Sequence, residues 1–148
     1  MKQKDKTADG KDVSKADLTH EEDMSFAIMN LIGIEEHLAM TSVKAKNQEY
    51  LHILCAVRKL RIKLLKELVK EPEGEIWCVS KHLLSATMRL METATKYLET
   101  DVNAAHDFEK SAFDLYSLFW LVRDMQDKKI VDKTAEKEIA ASAAEEKI

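Results

Sequence analysis

Four charged residues, Glu35, Arg61, Glu109 and Arg123, fall where the apolar repeat of an amphipathic helix asks for a core side chain. A carboxylate and a guanidinium brought together away from water can act in two ways. They can form a structural ion pair that fixes helix register, or the guanidinium can grip an anionic ligand while the carboxylate holds the guanidinium in place. A third outcome is that the long stems snorkel out to water. At about 100° per residue, Glu35 lies close to 40° from Leu31, and Arg61 has a similar offset from Val57. Helix rise places Glu35 ~22 Å along a first helix and Arg61 ~20 Å back along a second, so the two meet near mid-height. They should therefore pair.

A second constellation lies at the other end of the chain. Trp77 begins a third helix, while Tyr116, Phe119, Trp120 and Arg123 lie near the end of a fourth. In an antiparallel arrangement these segments share one end of the molecule. The expectation is an aromatic cluster with the Arg123 guanidinium beside a ring, which is favourable without any ligand. The functional variant is a pocket for a flat anion. The candidate ligand-binding residues are thus Glu35, Arg61, Arg123, Trp77 and Trp120. No catalytic residue is assigned, and no metal or cofactor is expected.

Metal and nucleophile chemistry find weaker support. A di-metal carboxylate bundle wants Glu on two helices and Glu-x-x-His on two others, all pointing inward. Glu49-x-x-His52 has the spacing, but His52 lies ~140° from Val57 and points away from the apolar stripe. His106-x-x-Glu109 has the reverse order, and Glu92 faces outward. His52-x-x-Cys55 and Cys78-x-x-x-His82 each place a thiol near an imidazole, but ~25 Å separates the two pairs along the helices, and zinc needs four ligands together. No Arg precedes a His at the spacing used by helical ribonucleases of the Arg-x4–6-His type. Three scattered Gly cannot build a phosphate loop.

The elements that must position these groups are helices. The chain has 148 residues, the size of one domain, with 45% hydrophobic residues, three Gly and one Pro. Thr19-x-x-Glu22 is a capping box opening helix 1 at 20–44, with Leu18 as a staple and Met24, Ala27, Ile28, Leu31, Ile34 and Leu38 as its apolar face. Asn47 caps helix 2, at 48–70. The main stripe of that helix is Tyr50, Ile53, Leu54, Val57, Leu60, Leu64 and Leu68, with a second seam of Leu51, Cys55, Ile62, Leu65 and Val69. Glu71-Pro72-Glu73-Gly74 breaks the chain. Helix 3, at 75–99, buries Ile76, Leu83, Leu84, Thr87, Leu90, Met91, Ala94 and Leu98. Thr100 or Asp101 caps helix 4, at 102–127, which buries Ala105, Phe108, Ala112, Leu115, Phe119 and Val122. Residues 1–17 read as a disordered leader, and residues 128–148 as a charged, loosely held helical tail that could extend helix 4.

The turn before Ala104, Phe108 and Ala112 resembles half of a tetratricopeptide repeat, but no second copy follows at that period, which excludes a repeat array. The stretch from Gly74-Glu75-Ile76-Trp77-Cys78-Val79-Ser80-Lys81-His82-Leu83-Leu84 through Met88-Arg89-Leu90-Met91-Glu92 resembles small helical proteins of unknown function from uncultivated archaea and bacteria. That resemblance implies a small cytoplasmic helical protein and carries no activity.

The fold expected is an all-α, antiparallel up-down four-helix bundle over residues 18–127. Net charge is −4, which gives no overall bias toward nucleic acid or membrane. Charge is nonetheless partitioned. Lys46, Arg58, Lys59, Arg61, Lys63, Lys66 and Lys70 outnumber Glu49 and Glu67 on helix 2, whereas helix 4 carries Asp101, Asp107, Glu109, Asp114, Asp124 and Asp127 against Lys110 and Arg123. Basic Lys59, Lys63, Lys66 and Lys70 face water, acid on another subunit, or an acidic or RNA partner. No aromatic residues interleave with them as nucleic-acid stacking requires. Apolar surplus on helices 2 and 4 points to a homodimer, with Phe113, Leu118, Leu121, Leu51 and Ile62 at its interface. The expected function is a non-enzymatic, homo-oligomeric interaction or scaffold module in the cytoplasm. The alternatives are a small-anion-binding protein or enzyme with a polar pocket around Glu35, Arg61 and Arg123, and an RNA-binding protein using helix 2.

Overall fold

A computed structural model of the chain describes residues 19–145. It consists of four helices, α1 His20–Lys44, α2 Glu49–Leu68, α3 Glu75–Thr95 and α4 Val102–Glu145, with no strand among the described residues. The expected leader at 1–17 and the Leu18 staple lie outside that range.

Local chemistry sets the helix ends. The Thr19 side chain accepts from the Glu22 N–H while the Glu22 carboxylate accepts from the Thr19 N–H, closing the capping box. At the other end of α1, Asn47 N–H donates to Ser42 C=O and Lys46 N–H to Val43 C=O, the paired bonds of a Schellman cap. Lys46 takes the left-handed backbone (φ 50°) that such a cap needs and that glycine usually supplies. Asn47 assists α2 one position ahead of its N-cap Gln48, its Oδ1 accepting from Glu49 N–H. Gly74 opens α3 at φ 86°, and Asp101 Oδ1 accepts from Ala104 N–H at the start of α4. α3 stops at Thr95, so Leu98, expected in its core face, is 56% exposed in the connecting turn. α4 does not stop at 127. It continues as one helix of 44 residues to Glu145, ~66 Å long.

Consecutive helices form two hairpins, α1 with α2 and α3 with α4. The way the hairpins meet differs from a square up-down bundle, in which α1 and α3 would be diagonal. Glu21 and Ser25 of α1 reach α4 at Arg123 and Tyr116, whereas Glu36 reaches α3 at Ser85 and Arg89. α1 thus runs obliquely across the second hairpin, from α4 toward α3. It approaches α3 closely, and α2 stands off from it. Small side chains permit this approach: Ser25, Ser80 and Thr87 are buried beside Ile28, Met29, Ile32 and Leu84.

That geometry rotates two of the expected faces. On α1 the buried set is Ser25, Ile28, Met29, Ile32 and Ser42, while Ala27 and Ile34 are exposed. On α2 only Arg61, Leu65 and Leu68 of the helix are buried, and Ile53 and Leu60 of the expected main stripe lie in the open. The α4 face is as its periodicity indicates, with Ala105, Ala112 and Phe119 buried, and it extends to Gln126. The Gln126 amide clamps the α2–α3 turn. Its Oε1 accepts from Glu71 N–H and its Nε2 donates to Glu71 C=O, both at 3.4 Å.

Candidate functional site

The divergence of α2 from α3 opens a cleft, and charge explains why it stays open. Arg58 on α2 and Lys81 on α3 line both of its lobes, so closing it would press like charges together. One lobe, of about 280 Å³, lies over Glu35, Glu36, Arg61, His82 and Ser85. The other, of about 260 Å³, is bounded by Ile62, Pro72, Trp77 and Cys78 as well as the three cations, and has no carboxylate in its lining.

Arg61 forms the floor. It is 3% exposed, and its Nε and Nη2 donate to Glu35 Oε2 and Oε1 at 2.8 and 3.0 Å, a two-pronged clamp. Glu35 itself is nearly buried on α1. These two contacts leave Arg61 Nη1 without a protein acceptor among the described residues, on a side chain that lines both lobes. The carboxylate and guanidinium therefore meet as their helical positions indicate, and one edge of the guanidinium remains open to the cleft. Arg58 and Lys81 were not singled out in the sequence. The available signal was the Arg58–Arg61 spacing, which places two guanidiniums on one side of α2. Nothing in the α3 pattern could show that Lys81 stands opposite them.

The second constellation forms in part, with Trp77, Tyr116 and Trp120 packed against one core but Trp77 outside the ring contacts. Tyr116 and Trp120 rings pack at 5.7 Å, Phe119 and Trp120 at 4.9 Å, and Phe26 joins Tyr116 at 5.5 Å. Arg123 lies 4.8 Å over the Trp120 ring. Trp77 makes none of these ring contacts and stands instead at the α2–α3 cleft. The Arg123 guanidinium donates from Nη1 to Glu21 and from Nε and Nη2 to Asp124. Partial burial works against its charge, but these two carboxylates outweigh that and raise its pKa. The shallow depression beside it contains Glu21 and Glu22 as well, so acid already surrounds the cation. Glu109, expected inside, is exposed at the edge of a small groove with Phe26, Met91 and Phe113. α4 buries the face through Ala105, Ala112 and Phe119, and Glu109 lies ~60° away from its centre.

The other candidate groups lie at the surface. Glu49, His52, Cys55, Cys78, Glu92 and His106 are exposed, and among the described residues no three metal-binding side chains converge. Lys59, Lys63, Lys66 and Lys70 are exposed along α2. Phe113, Leu118, Leu121 and Leu51 are exposed too, whereas Ile62 is half-buried in the cleft wall. No described helix is long and apolar enough to cross a membrane.

The aromatic cluster contains one titrating group with a defined direction. Burial raises the Tyr116 pKa above the ordinary phenol value of 10.0, partly opposed by the hydrogen bond with Ser25 and by the neighbouring Trp120, with Glu22 adding to the rise. The raised pKa favours the neutral phenol in the fold. Its contribution to stability is complete below the unfolded pKa and declines as pH rises through the folded one. Denaturation midpoints should therefore fall more steeply above about pH 10 in the native chain than in Tyr116→Phe. Parallel curves would mean that the hydroxyl ionises equally well in both states.

No family model, no curated protein and no solved structure matches this chain, so the reading of its cleft rests on geometry.

Proposed function

We propose that this protein binds a small anionic ligand in the α2–α3 cleft. Arg61 is the buried anchor, Arg58 and Lys81 close on the ligand from either wall, and Ile62, Pro72 and Trp77 take an apolar or planar portion. The observation that carries this reading is Arg61 Nη1, which has no protein acceptor among the described residues and belongs to a side chain, 3% exposed, that lines both lobes of a cation-lined cleft. Glu35 neutralises and orients Arg61, so the net positive charge felt by a ligand comes from Arg58 and Lys81.

The reading of the chain as a self-associating interaction module draws on a separate observation, the apolar outer face of α4.

Trp77 is a built-in reporter. In a Trp120→Phe background, phenyl phosphate should quench or shift Trp77 emission saturably. Inorganic phosphate should bind more weakly because it leaves the apolar wall unused. Lys81→Gln and Arg58→Gln should each weaken binding about tenfold, the scale of one charge-assisted hydrogen bond. Lys96→Gln removes an exposed cation at the C-terminal end of α3, outside the cleft, and should have no effect. Binding that ignores Lys81→Gln, or no saturable response at millimolar phenyl phosphate, would overturn the assignment.

A further inference from the structure

The exposed side of α4 carries a pattern that the anion-binding reading leaves unused. Leu118, Leu121 and Met125 are 46%, 56% and 52% exposed and form a continuous seam at helical spacing. Asp114 and Lys128, both exposed, lie at its two ends. These five positions fall within ~80° of arc, on the side of α4 turned away from Ala105, Ala112, Phe119 and Gln126. α4 is also long: Gln126 reaches Glu71 in the α2–α3 turn, and the helix continues to Glu145. A helical arm of this length has little stability alone in water and gains it by packing against something.

We infer that α4 is a dimerisation helix and that the occupant of its seam is α4 of a second copy, paired antiparallel about Leu121. The charges select this partner and this direction. Asp114 is seven residues before Leu121 and Lys128 seven residues after it, each ~10 Å along the axis. A two-fold axis at Leu121 therefore brings Asp114 of each copy opposite Lys128 of the other, twice per dimer. Leu118 then interleaves with Met125 across the seam, and the arm beyond Lys128 runs along the first half of the partner's α4. A parallel pair would instead set Asp114 beside Asp114 and Lys128 beside Lys128, placing like charges together at both ends. Phe113 belongs to another surface. It lies in the groove with Phe26 and Met91, so the seam needs only Leu118, Leu121 and Met125.

Sedimentation equilibrium and thiol cross-linking test the pairing on the full chain, with Cys55 and Cys78 replaced by Ser. The protein should be dimeric at tens of micromolar. Leu121→Cys should be captured as a dimer by a short bis-maleimide, while Val43→Cys, at the exposed tip of the α1–α2 hairpin, should not. Asp114→Lys and Lys128→Glu should each weaken the dimer about tenfold or more, and the double variant should recover most of the loss. A monomer, including one whose seam is covered by its own residues 1–18, overturns the inference. Cross-linking at residue 121 without recovery in the double variant overturns the antiparallel register. Circular dichroism of each charge variant should match the parent, since both side chains are exposed. Phenyl phosphate binding is measured separately, so failure of one reading leaves the other standing.

Discussion

Arg61→Met with Glu35 retained should lose ~3–5 kcal/mol of folding stability, because a nearly buried carboxylate would be left without its counter-charge. Glu35→Leu with Arg61 retained should lose a similar amount. The double variant Glu35→Leu/Arg61→Met should recover most of it, since apolar side chains of comparable volume remove the desolvation penalty together with the attraction. Urea denaturation of the four proteins in the cycle measures the coupling directly. Additive losses would show that the 2.8 Å contact contributes nothing to stability. The double variant also separates structure from function: it should fold and yet no longer respond to phenyl phosphate, because the open Nη1 edge is gone.

Phe119→Ala should be as damaging for a different reason. Phe119 is 0% exposed and belongs to one core with Ile28, Met29, Leu65 and Leu84, so it touches side chains contributed by both hairpins. Removing its ring leaves a cavity at the junction where α1 crosses α4, and neither hairpin can collapse into it without moving Trp120 and the Arg123 that lies on it. The expected loss is ~3–5 kcal/mol. Phe113→Ala, six residues earlier on the same helix but 67% exposed, should change stability by less than ~1 kcal/mol. Thermal unfolding in parallel checks the pair. Comparable losses would mean that Phe113 is covered in solution.

The contrast between Phe119 and Phe113 shows which parts of the site could be read from residues alone. Both are large and apolar, and a wheel separates them only once the core side of α4 is known. On α4 that side follows from Ala105, Ala112 and Phe119, because the helix is buried along one consistent face. On α1 the same procedure favours Ala27 and Ile34, which are exposed, over Ser25, which is 0% exposed. Apolar periodicity reports chemical type. Where helices cross closely, size decides, and a serine that hydrogen-bonds to Glu22 C=O and to the Tyr116 hydroxyl fits where leucine would not.

Sequence alone determines the parts that depend on neighbours within a turn or two: the Thr19 capping box, a cap at Thr100 or Asp101, the break around Pro72 and Gly74, and the common height of Glu35 and Arg61 across one hairpin. These follow from local hydrogen bonding and a fixed rise per residue. Tertiary structure alone decides the angle between the hairpins, and with it the approach of α1 to α3, the cleft between α2 and α3, and the placing of Lys81 opposite Arg58. It likewise assigns Trp77 to the cleft and Trp120 to the Arg123 cluster, and sends Gln126 to clamp Glu71. The reason is physical. A helix presents several faces that could be buried, and which one is chosen depends on partners far away in the chain, through small packing differences that no single-helix pattern records.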